Sequence, residues 1–190
     1  MALYGQDPRQ MGTYHMVGNS GYEPQRTNNF EVQIVGLDRL VYPANGKSTF
    51  SQPSNASELV TLSVASYSAP QINISTISVA YGNNTLKYAG KPEFPDSSIV
   101  LNDYIGINIE RILSNWQKTV YDYDTQKIGL AENYKRDAYL LEFAPDGSNL
   151  RQWMLHGCWP AQLQLGDFNQ EGGSVRQCTL SLVYDWAQPL

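Results

Sequence analysis

The ten residues from Val175 to Tyr184 constrain this chain more than any other stretch. Cys178, Leu180, Leu182 and Tyr184 occupy every second place, with Thr179, Ser181 and Val183 between them. Side chains change sides at each residue only in extended backbone, so this period of two demands a strand with one apolar face on a core. The period recurs. Phe30, Val32 and Ile34 alternate with Glu31 and Gln33 up to Gly36, and Val60, Leu62 and Val64 alternate with Thr61 and Ser63 across 59–66. Beyond Pro70, Ile72 and Ile74 alternate before the phase shifts to Ile77, Val79 and Tyr81, which is how a β-bulge reads in sequence. Asn83 and Asn84, residue types that tolerate positive φ, turn this run into 85–89, so the two form a candidate hairpin. Further strands are expected at 98–102, 138–143 and 152–159, the last two joined by the Pro145-Asp146-Gly147-Ser148 turn.

One segment keeps a helical period instead. Ile109, Ile112, Leu113, Trp116 and Val120 fall on one stripe, Glu110, Arg111, Ser114, Asn115, Gln117 and Lys118 fall opposite, and Asn102 or Asp103 can cap the start. The helix is expected to end before Gly129. Seven or eight short strands with one helix predict a mainly β fold, an antiparallel two-sheet β-barrel or sandwich with one packed α-helix. Residues 1–29 hold no period. Gly5, Gly12, Gly18, Gly21, Pro8 and Pro24 punctuate them, with Tyr4, Tyr14 and Tyr22 between, so they read as an extended N-terminal arm ahead of a single domain, 30–190. Residues 43–57, rich in Ser, Asn, Pro and Gly, read as a long exposed loop.

Composition narrows the function. Thirteen basic against eighteen acidic residues give a formal charge of −5, and no run of Lys or Arg occurs, which disfavours a protein that grips phosphate. Charged residues are only 16%, while 14 Asn, 14 Gln and 16 Ser make the surface polar through amides and hydroxyls. The opening Met-Ala-Leu-Tyr-Gly-Gln-Asp lacks a basic and apolar leader pattern and no stretch approaches a membrane span, so cytosolic synthesis without membrane contact is expected. Triplets of glycosylation type at Asn55, Asn73 and Asn83 then lack the compartment that would use them.

Chemistry-bearing residues are sparse. His156 and Cys158, two apart in a strand, share a face on strict alternation and form a candidate thiol–imidazole pair, but no orienting carboxylate or nucleophile elbow accompanies them. The two His and two Cys match no zinc spacing, since His15 lies on the arm. Asp122 and Asp124 begin like a calcium loop but meet Gln126 at the next ligand place, so they read as helix-end surface charge. No catalytic residue, metal or cofactor is therefore expected. Cys158 and Cys178 are either a disulfide across adjacent strands or two reduced buried thiols. Thirteen Tyr and four Trp without basic patches also suit a carbohydrate-binding β-sandwich, where rings stack on sugars, as well as a core and subunit interface.

From Asn29 to Trp186 the order of features resembles the tail tube proteins of contractile-tailed bacteriophages, relatives in fold of the type VI secretion tube protein. The carriers are Asn29-Phe30-Glu31-Val32, the stretch from Asn84 to Lys91 with Ala89-Gly90, Asn102-Asp103 before a helix holding Trp116, Gly157-Cys158-Trp159-Pro160, and the ending Val183-Tyr184-Asp185-Trp186. The resemblance implies a non-enzymatic virion protein, assembled in the host cytoplasm into stacked hexameric rings of a phage tail tube. Its implied partners are itself, a tail sheath protein and baseplate or neck tube-end proteins, with DNA passing through the lumen without specific binding. On that reading Thr61, Ser63, Asn73 and Ser75 are expected to face the lumen. Tyr4, Tyr14, Tyr22, Asn83 and Asn84 are expected at contacts between subunits or rings.

Overall fold

The computed structural model describes residues 25–40, 52–166, 168 and 173–190. Tyr4, Tyr14, Tyr22 and His15 lie outside them, as does most of the 43–57 loop. Within them the chain runs β1 (Phe30–Ile34), a 3₁₀ turn (Leu37–Arg39), α1 (Ala56–Ser63), β2 (Val64–Tyr67), β3 (Asn73–Tyr81), β4 (Asn84–Glu93), β5 (Ser97–Asn102) and α2 (Ile109–Val120). It continues through β6 (Tyr121–Asp122), β7 (Lys127–Ile128), α3 (Ala131–Tyr134), β8 (Arg136–Phe143), β9 (Asn149–Gln164), β10 (Gln177–Val183) and β11 (Trp186–Pro189). The fold is mainly β with antiparallel pairing, as the alternation implied.

No closed barrel is found among the described residues; two antiparallel sheets, β1-β8-β9-β11 and β9-β10-β5-β2, are joined through β9 into one path. Seven strands follow the order β1-β8-β9-β10-β5-β2, with β11 also on β9, so that β1, β2 and β11 each have a single strand partner. The long β9 makes this continuity. Its first half pairs with β8 along one side and with β11 on the other, and its second half pairs with β10. Pro160 is tolerated inside it because the register slips beside Leu182, where a ladder N–H is not required.

The core lies between this sheet and the helices. Leu180 and Leu182 of β10, Ile99 and Leu101 of β5, and Leu155 and Cys158 of β9 are fully enclosed with the α2 stripe Ile109, Ile112, Leu113 and Trp116. The indole N–H of Trp116 donates to the Tyr134 carbonyl at 2.8 Å, pinning α3 to α2. The α2 cap falls later than expected. Asn108, not Asn102 or Asp103, accepts from the Arg111 N–H at 2.9 Å, because Tyr104 and Ile107 are held in a bridge that delays the first turn. Arg136 threads its guanidinium among the carbonyls of Gly36, Lys135 and Asn133, and burial lowers its proton affinity.

The segment 59–66 is the main correction. Its first five residues are helix, not strand, because Ala56, Val60 and Ser63 fall at helical spacing and are the residues buried, with Leu59 half-buried beside them. Leu62, which alternation assigned to the core, is 65% exposed. The Ser57 hydroxyl fixes the helix entry by accepting from Leu37 N–H and donating to Asp38.

Candidate functional site

The β3–β4 hairpin stands apart from the body. Its extensive packing among the described residues is confined to its own two strands, and all its residues but Gly90 are exposed. Pairing of Ile77 with Tyr88, Val79 with Leu86 and Tyr81 with Asn84 puts five large apolar side chains on one face. Thr76, Ser78, Ala80, Thr85, Lys87 and Ala89 take the other. In one chain the stripe Ile77, Val79, Tyr81, Leu86 and Tyr88 is therefore left in water, with Tyr81 at 72% exposure. The expected bulge is present at the phase shift, with the additional residue on β4, where Gly90 and Lys91 oppose Ser75. The positive φ of the tip falls on Gly82 at 59°, so the loop is Gly82-Asn83 and Asn84 already pairs with Tyr81, its side chain accepting from Thr85 N–H at 2.8 Å.

The four residues expected at a lumen separate. Asn73 and Ser75 are exposed at the root of the hairpin, on the stripe's side of β3, and the Ser75 hydroxyl donates to the Lys91 carbonyl at 3.1 Å. Thr61 and Ser63 are not on a strand at all. They donate to the Ser57 and Leu59 carbonyls within α1, and Ser63 is fully buried, so it offers no hydroxyl to a channel. Helical hydroxyls bond backward in this way whenever the preceding turn is the nearest acceptor.

A groove of about 560 Å³ runs between β1 and α1, walled by Glu31, Gln33, Val35, Asp38, Glu58 and Leu62. Val35 and Leu62 give it an apolar floor, half or more exposed. Its rim is acidic. Asp38 is engaged by Ser57 and lies 3.7 Å from Arg39, while Glu31 and Glu58 have no ion-pair partner among the described residues. Sequence reasoning missed this groove because it hinges on 59–63 being a helix; the Ala56, Val60, Ser63 spacing was the available signal. A second groove, about 870 Å³, opens where the sheet edges approach, between Phe30, Val64–Tyr67 and Leu140.

The catalytic candidates disperse. The β9 ladder bulges where His156 and Gly157 together face Asp137, so Leu155 and Cys158 both turn to the core and His156 does not share the Cys158 face. Gly157 takes φ 66°, and a Cβ there would strike the Asp185 carboxylate. His156 stacks on Trp186 with centroids 3.9 Å apart and lies 3.5 Å from Asp137, whereas the Cys158 thiol contacts the Leu155 carbonyl. Burial pushes that thiol up to about 12, so it holds its proton and is no nucleophile at neutral pH. The two cysteines are free and buried. Val183 pairs with Trp159 and Thr179 with Gln164. That register sets Cys158 and Cys178 about 20 Å apart along the ladder, beyond disulfide reach. Asp122, expected at the surface, is buried and accepts from Asp124 N–H and the Thr125 hydroxyl. No metal-ligand cluster occurs among the described residues. Trp116 is buried, Trp153 and Trp159 are half-buried, and Trp186 is covered on one face by His156, so none of the four indoles stands clear of the body.

Comparison with known proteins follows the same direction. The family model of the T4-like virus tail tube protein gp19 matches residues 26–188. No curated protein matches the chain. Among solved structures, the chain is similar to the tube-terminating cap of the anti-feeding prophage, with TM-score 0.63 and 17% identity over 100% of this chain and 99% of that one. It is also similar to a chain of the PVC sheath–tube complex of an extracellular contractile injection system, with TM-score 0.62 and 14% identity over 97% and 98%. A chain of the six-fold symmetrised anti-feeding prophage baseplate follows at TM-score 0.60 and 14% identity over 88% and 96%.

Proposed function

The chain belongs to the T4-like virus tail tube protein gp19 family, and on that premise we propose that it is a structural subunit of a phage contractile tail, forming hexameric rings that stack into the tube through which DNA is ejected. The observation that carries the reading is the extent of the family match, which takes in every described strand from β1 to β10. The physical support is the uncovered hairpin: sheet with both edges unpaired and an apolar face in water is a binding surface waiting for sheet or side chains from another molecule. The role is structural and non-enzymatic.

The partners we assign are further copies of this chain, a tail sheath protein, and tube-end proteins of baseplate or neck, in a virion tail built in the host cytoplasm. Tyr4, Tyr14, Tyr22, Asn83 and Asn84 are assigned to subunit or ring contacts; Asn83 and Asn84 stand at the far end of the hairpin, where a neighbour is reached first. Asn73 and Ser75, at its root, are assigned to the lumen in place of the full set of four. A two-stranded ribbon twists strongly, so root and tip of one face look in different directions. Excess acid over base lets duplex DNA pass without the phosphate neutralisation that would hold it.

Electron microscopy and mass measurement of the purified protein test this. Rings or tubes are expected. A strictly monomeric particle at high concentration that also fails to extend from added baseplate complexes overturns the reading.

A further inference from the structure

We infer that Gly90 and Ser75 form a register lock: the bulge they hold at the root of the β3–β4 hairpin is what gathers Ile77, Val79, Tyr81, Leu86 and Tyr88 onto one face. The inference concerns a single chain and does not rest on the tube reading. Strand pairing keeps its register firmly where one face is buried against a core, and weakly where neither face is. The hairpin has no such burial, all its residues but Gly90 being exposed. Its tip does not choose the register either. The ribbon closes through Gly82-Asn83 with Tyr81 opposite Asn84. Gly82-Asn83-Asn84 also suits a three-residue loop with Tyr81 opposite Thr85, because Asn tolerates positive φ.

A slip of that one residue undoes the stripe. Carried outward without the bulge, the root pairing of Ile74 with Pro92 would set Ile77 against Ala89, Val79 against Lys87 and Tyr81 against Thr85. Leu86 and Tyr88 would then turn to the opposite face, beside Ala80 and Ser78, and the ribbon would be apolar on both sides. The bulge absorbs the additional residue before the stripe begins, since Gly90 and Lys91 together oppose Ser75. Two contacts keep it there. The backbones approach so closely that a Cβ on Gly90 would strike the Ser75 hydroxyl and carbonyl. Gly90 is the one glycine in β4, so no other place on that strand admits the same approach. The Ser75 hydroxyl then donates to the Lys91 carbonyl at 3.1 Å, closing the bulge from the β3 side.

NMR of the unassembled full chain tests this by reading, from through-space contacts, whether Leu86 or Lys87 lies directly opposite Val79. Wild type should show Leu86 alone. Gly90→Val blocks the close approach, so Val79 should lose Leu86 and gain Lys87 as its opposite residue, while the β10 amide signals stay in place. Deletion of Gly90 is the companion variant. It removes the additional residue itself, so the root and outer pairings join into one regular ladder and Val79 should keep Leu86. Both partners in wild type, Leu86 retained in Gly90→Val, or Leu86 lost in the deletion variant would each overturn the lock. A Gly90→Val ribbon with neither partner overturns it as well, because Gly90 would then hold the hairpin together rather than choose its register.

Discussion

The β10 strand and the β3 strand are written in the same alternating idiom and meet opposite fates. Cys178, Leu180 and Leu182 on β10 are fully enclosed, whereas Ile77, Val79 and Tyr81 on β3 are 54%, 47% and 72% exposed. β10 lies between β9 and β5 with its apolar face in the shared core; β3 has only β4. Alternation therefore specifies that a strand has an apolar face, not which molecule covers that face. In the body the cover is intramolecular, whereas the described residues give the hairpin face no extensive cover at all.

The largest effect that sharpens this contrast is Leu180→Ala, which should destabilise the isolated chain by about 2–5 kcal/mol through lost burial and a residual cavity. Val79→Ala, on the hairpin, should move unfolding by less than about 0.5 kcal/mol while impairing tube formation. Denaturant titration of both variants decides it: equal losses would mean that the hairpin has an intramolecular cover. Glycines give a second, smaller comparison. Gly157 and Gly82 share similar positive φ, but a Cβ on Gly157 strikes Asp185 whereas one on Gly82 meets nothing within 4 Å. Gly157→Ala should cost roughly 2–3 kcal/mol and Gly82→Ala about 1 kcal/mol, read from thermal melts. Similar costs would show that the bulge has relaxed around the added methyl.

The smallest effect is one of pH and belongs to the body alone. Cys158 ionises ordinarily at 9.0 but is held to about 12 by burial. Between those values the folded state keeps a proton that the unfolded chain has released, so stability is full below pH 9 and falls as pH rises toward 12. At about pH 9.5 the loss is of order 1 kcal/mol, and urea midpoints at about pH 8 and 9.5 should show a smaller drop for Cys158→Ala than for wild type. Tyr67, whose hydroxyl is likewise pushed upward by burial, adds a loss of the same sign at higher pH. An unchanged drop in Cys158→Ala would place the alkaline sensitivity elsewhere.

β1, β5, β8, β10, the middle of β9 and α2 were legible because each carries its period over five residues or more with one buried face, whereas β2, β6, β7 and β11 are too short to show one. The family could be read from the spacing of Asn29-Phe30, Gly157-Cys158-Trp159-Pro160 and the terminal strand. What escaped was decided outside the local pattern. Residues 59–63 satisfy both periods, and burial of Ala56 and Ser63 against the body selected helix. Two-residue spacing placed His156 and Cys158 together, but the opposing strand imposed a bulge at Gly157. The stripe at Ile77, Val79 and Tyr81 is visible as apolar, but alternation points it at the chain's own core, which the hairpin does not reach.

Pairing between β1 and β8 joins Phe30 to Glu142, whereas every pair in the hairpin lies within one local turn of chain. Hairpins close in about 1–10 μs, while contacts between distant parts of the sequence form far more slowly. During synthesis both hairpin strands thus exist long before Glu142 does, and β1 gains its sheet partner only when β8 arrives. The hairpin therefore matures early and the β1 edge of the sheet last. A nascent chain thus exposes the apolar stripe of Ile77, Val79 and Tyr81 before its own body has closed.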